Sequence, residues 1–173
     1  MSSTSTPPLA AALEAWQINA RITAYLIEHL PPEIWAMALP GIPRRTVRAL
    51  AAHLHNTRIL WVKSLGSGEG LPARVNPATV TPENLRAALD TSEAGISSLI
   101  RYGINLEGTP AGGSSGFVYG AIPRHVVSFV AYAAAHEGHH RGQLVLAARQ
   151  LGHRLPEAVV SGLWQWSSRL REL

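Results

Sequence analysis

Four long stretches of this chain repeat their apolar side chains every three to four positions, and proline or glycine stops each one. That period belongs to a helix with one buried face. The first stretch runs from about Leu9 to His29, with Leu9, Leu13, Trp16, Ala20, Thr23 and Ile27 on one stripe, and halts before Pro31-Pro32. The second opens at Pro43 and carries Val47, Leu50, Leu54, Trp61 and Leu65 as far as Gly66. The third starts at Thr81-Pro82, an N-cap followed by proline at the first helical position, and reaches Tyr102. The fourth extends from near Pro123 to Leu151-Gly152, and a shorter fifth from Glu157 to Leu170 holds Leu163, Trp164 and Trp166. No segment alternates with period two for long enough to specify a strand. The pattern predicts an all-α fold, an antiparallel four-helix bundle with an additional short C-terminal helix.

A chain of 173 residues with 46% hydrophobic residues is of single-domain size, placed here over residues 7–173 with residues 1–6 as a flexible tail. No apolar run reaches the roughly 20 residues that cross a bilayer, and the N-terminus has no secretion signal, so a cytoplasmic protein without a membrane partner is expected. The absence of cysteine excludes thiolate metal sites, disulfides and a protein thiol nucleophile. All but one of the 15 basic residues are arginine, Lys63 being the exception, and they are scattered except at Arg44, Arg45 and Arg48. Nucleic acid, which needs a clustered basic stripe, is not expected as a partner. The glycines of 66–70 and 112–116 lack a P-loop lysine, which disfavours nucleotide chemistry.

Eight histidines is a high count, and His136, His139 and His140 fall together. On a helical wheel with His136 at zero, Phe129, Ala133, His140, Ala147 and Leu151 lie within about 60°, so His136 is expected at the centre of the inward face. Glu137, Arg141 and Arg149 fall beyond about 100° and are expected on the solvated side. His139 sits at the border. Two inward imidazoles one turn apart need a shared partner, and a metal ion supplies one. A third ligand must come from another helix. In the second helix, whose inward face carries Leu50, Leu54, Thr57, Trp61 and Leu65, His53 lies on the flank of that face and His55 turns away. The candidate metal ligands are therefore His53, His136 and His140. His29, His125 and His153 read as ordinary core or surface residues.

The run His136-Glu-Gly-His-His140-Arg-Gly-Gln143, the earlier His53 and Trp61, the Leu-Gly that ends the fourth helix, and a following proline with Trp164-x-Trp166 together resemble the DinB/YfiT-like superfamily. The resemblance covers most of the chain. It implies a four-helix bundle, commonly a homodimer, which holds a divalent metal through one histidine of the second helix and two of the fourth. By position these are His53, His136 and His140. Tyr132 stands where several relatives carry a further histidine. Some members act as metal-dependent thiol transferases or isomerases with a low-molecular-weight thiol, and that is the function the resemblance implies here, on a small-molecule substrate. Zinc and nickel both suit imidazole, and three neutral imidazoles leave the charge of either ion free to act on a thiol. A homodimer is also suggested by Leu163, Trp164 and Trp166 on one short helix. Gln143 is placed to orient a ligand histidine or a substrate.

Two other readings make different predictions. His136-Glu137-x-x-His140 also spells the H-E-x-x-H motif of zinc proteases, with Glu137 as general base and Glu157 or Glu172 as third ligand. A Glu137→Gln change would then abolish activity, whereas a Glu137 turned outward would tolerate it. In the third reading the ion is a non-catalytic tie between two helices. The glycine-rich stretch Gly108–Gly120 is a long crossover or a flap.

Overall fold

The computed structural model describes residues 8–66, 71–105 and 122–172. The tail 1–6, most of the glycine run after Gly66, and the stretch Gly108–Gly120 lie outside them, as does the side chain of Leu9. Four long helices carry the fold: α1 (Pro8–His29), α2 (Val47–Leu65), α3 (Pro82–Asn105) and α4 (Val126–Gln150). The order around the bundle follows from packing, α1 and α2 each lying against both α3 and α4.

Where each helix begins is decided by its cap. Pro43 does not open α2. Residues Ile42–Thr46 form a strand, β2, paired antiparallel with β1 (Ala38–Leu39) around Gly41, whose φ of 76° suits glycine. The helix waits for Thr46, whose hydroxyl accepts from Ala49 N (3.1 Å). Its next two amides donate backward, Val47 N to Met37 O and Arg48 N to Trp35 O, so the turn that precedes β1 absorbs groups that a helix start leaves orphaned. Likewise α4 starts at Val126 rather than near Pro123, because His125 Nδ1 accepts from Val127 N. At the far end Gly152 adopts φ 85°, with His153 N donating to Ala148 O and Gly152 N to Arg149 O. This is the paired-bond arrangement that closes a helix on a left-handed glycine.

The expected single fifth helix is two: α5 (Glu157–Gly162) and α6 (Trp166–Leu170), broken where Gln165 leaves helical angles. A Cβ on Gly162 would stand 2.6 Å from the Tyr25 hydroxyl, so glycine lets α5 press onto α1. Trp164 remains 80% exposed.

The apolar core is in two parts. One part joins Leu26 and Leu30 of α1, Leu50 and Leu54 of α2, Leu85 and Leu89 of α3, and Leu144 and Ala148 of α4. The other joins Trp16 and Ala20, Trp61 and Leu65, Ile96 and Ile100, and Phe129 and Ala133. Matching the two parts along each helix gives an up-down-down-up bundle, with α1 parallel to α4 and α2 antiparallel to both. The connection from α2 to α3 therefore travels the length of the bundle. It runs over the outer side of α2, where His55 Nε2 donates to Ala73 O (2.9 Å) and Asn56 pairs with the Val75 backbone in both directions. This cover buries His55, which the wheel had turned away from the core. Between the two apolar parts lies a layer of buried polar residues: Asn19 and Thr23, Arg58, Ser92, Glu137 and His140.

Candidate metal centre

Thr46 sets the phase of α2 so that Leu50, Leu54, Thr57, Trp61 and Leu65 are buried and His53 is half-buried at the edge. On α4 the inward face is not centred on His136. Val126, Phe129, Val130, Ala133, Glu137, His140, Leu144, Ala147 and Ala148 are the buried residues, which moves its centre about 70° towards Glu137. His136 is half-buried at the rim and His140 is 8% exposed. Because α2 and α4 are antiparallel, the three rims meet. Ring centroids are 4.7 Å apart for His53 and His140, 4.5 Å for His136 and His140, and 5.4 Å for His53 and His136. One ligand nitrogen from each ring lies within 4.8 Å of the others. His139 is exposed, with its ring 5.0 Å from that of His140, and belongs to no metal-ligating group among the described residues.

The surroundings keep the rings neutral. Burial, then the neighbouring His140, then Arg45 and His136, lower the His53 pKa to about 4. Burial is also the main cause that lowers His136 and His140. His140 Nδ1 donates to Gln143 Oε1 (2.7 Å), which leaves its Nε2 for another partner. Thr57 Oγ1 lies 3.3 Å from His53 Nδ1. Trp61 packs edge-on to His136, its centroid 5.2 Å away, and Tyr132 stacks at 6.4 Å. His136 Nδ1 is buried with no hydrogen-bond partner among the described residues. Three unprotonated imidazoles, one with an orphaned nitrogen, are a donor set that fits a divalent cation at imidazole bond lengths of roughly 2.0–2.1 Å.

Glu137 overturns the expectation of a solvated side. It is 0% exposed, and Arg58, also 0% exposed, grips it with two bonds, Nε to Oε1 at 2.6 Å and Nη2 to Oε2 at 3.0 Å. Asn19 Nδ2 (2.9 Å) and the Thr23 hydroxyl (2.7 Å) donate to the same Oε2. Arg141, also expected outside, donates to Asn19 Oδ1 and Thr23 Oγ1. Burial alone would raise the Glu137 pKa, but the Arg58 charge and hydrogen bonds outweigh it and hold the carboxylate ionised. A wheel that assigns charges to solvent misses this, because the compensating charge is on another helix. Asn19 and Thr23, one turn apart on the face of α1 that otherwise carries Ala12, Leu26 and Leu30, were the available signal.

The protease reading loses its base. Glu137 is committed to Arg58 on the core side, and neither Glu157 nor Glu172 joins a metal-ligating group among the described residues. Glu172 pairs instead with Arg169. No curated protein and no solved structure gives a significant match to the chain. The DinB family profile does match, over residues 1–168, and the chain belongs to the DinB family.

Proposed function

We propose that this protein binds a divalent ion, zinc or nickel, at His53, His136 and His140 and uses it to catalyse transfer or isomerisation with a low-molecular-weight thiol. The observation that carries this reading is the convergence of three neutral imidazoles at the rim of the bundle, two of them half-buried and open to a small molecule. An ion held by three neutral ligands supplies a Lewis acid strong enough to deprotonate a thiol that coordinates it. The chain has no cysteine, so the thiol comes from a cosubstrate. The protein's own share is to hold a proton on His140 Nδ1 through Gln143, to keep the three rings unprotonated by burial, and to shield His136 with Trp61 and Tyr132. A purely structural ion is usually closed by four protein ligands, and no fourth group joins the three histidines among the described residues, which favours the catalytic reading.

Elemental analysis of purified protein tests the site. One equivalent of metal is expected in the wild type and loss of metal in both His53→Ala and His140→Ala, and retention in either removes the trio. A panel of thiols assayed with metal-loaded protein tests the chemistry, and no turnover with any of them would leave only binding.

A further inference from the structure

The Arg58–Glu137 pair crosses the same seam between α2 and α4 as the three histidines, one layer further in. Arg58 is on the helix that carries His53. Glu137 directly follows His136 and lies one turn before His140, so its carboxylate is rigidly connected to both ligands. Its two oxygens take four bonds, from Arg58 on α2 and from Asn19 and Thr23 on α1, and Arg58 Nη1 also donates to Leu89 O on α3 (3.2 Å). A helix that supplies no ligand thereby fixes the rotation of the helix that supplies two.

Stability does not account for this arrangement. Desolvating two charges offsets most of what their attraction contributes, and well-packed apolar residues at such a place are often as stable or more so. A bidentate pair with two further donors is satisfied in one register and one rotation of the helices only, a requirement that an apolar pair does not impose by itself. We propose that Glu137, held by Arg58, Asn19 and Thr23, is a positioning residue for the metal centre: the buried network fixes α4 against α2 so that His136 and His140 face His53 at ligating distance. The inference rests on the metal-centre reading.

The test separates positioning from folding. In the Arg58→Met/Glu137→Met double variant both members of the pair go together, while Asn19, Thr23 and Arg141 lose the carboxylate they face, so a lower thermal midpoint is expected and Co2+ binding is read below it, where circular dichroism shows the variant folded. Its affinity for Co2+, used as a spectroscopic probe, is expected to fall at least tenfold, the size of effect seen when groups that orient ligands are removed. The visible Co2+ bands, which report coordination geometry, are expected to shift. A folded double variant that binds Co2+ with wild-type affinity and spectrum overturns the proposal. Should that variant not fold, Thr23→Val decides, since it keeps the ion pair but deletes one donor to Oε2 and one acceptor for Arg141. Several-fold weaker Co2+ binding with altered bands supports the proposal, and unchanged binding and bands overturn it. Wild-type protein that binds no more Co2+ than His53→Ala would instead sink the metal-centre reading.

Discussion

A histidine is an effective metal ligand only while it is unprotonated, and here burial performs that task before any ion arrives. The consequence for stability has a definite sign. In the unfolded chain His53 takes up a proton near its ordinary value of 6.5, whereas in the folded chain it resists protonation down to about 4. Between those values the unfolded state binds more protons, so acid favours unfolding. Metal-free protein is expected to lose stability progressively as the pH falls from 6.5 towards 4, with His136 and His140 adding in the same direction. Urea titrations of chelated protein at pH 7.5 and pH 5 measure this, and equal midpoints would contradict it. The meeting of His53, His136 and His140 was legible from residue type and helical spacing. Glu137 was not, because its burial depends on Arg58, a partner 79 positions away, and no periodicity within one helix carries that information.

At the scale of elements, the four helices were legible because apolar period, proline and glycine agree along each one. Their boundaries were less so. Pro43 suits a first helical turn, yet Thr46 makes the better cap, and the short hairpin ahead of it has too few residues to show an alternating pattern. The Leu151-Gly152 stop could be read directly because a left-handed residue strongly prefers glycine. The cap at Thr46 also sets where His53 points. Replacing Thr46 with alanine is expected to destabilise the fold by about 1 kcal/mol, read as a lower urea midpoint with an unchanged slope. No effect would mean that the backbone bonds from Val47 and Arg48 to the turn after α1 suffice.

For the whole molecule, the decisive feature is that His53, His136 and His140 lie outside both apolar halves of the core. The bundle is therefore expected to remain folded when the ion is removed. An ion present at about 100 times its Kd adds about 2.7 kcal/mol, which for a chain of this size corresponds to roughly 5–10 °C. Calorimetry with and without chelator should show a shift of that order between two cooperative transitions. A chelated protein with no transition would mean that the ion, not the core, holds the helices together. The layered arrangement could not be read from one helix at a time, since it appears only when the polar positions of all four are brought level.

The up-down-down-up path has a kinetic consequence. His53 and His136 are separated in sequence by the whole of α3, and α4 must dock before their nitrogens can share anything. Capture of the proposed cation thus requires α4 already docked on α2, and it is expected to follow the rate-limiting barrier, which folding rates measured with and without metal would check. Interactions that form so late leave the speed of folding untouched and act as a brake on the reverse process, so the loaded protein resists opening for longer without having formed any faster.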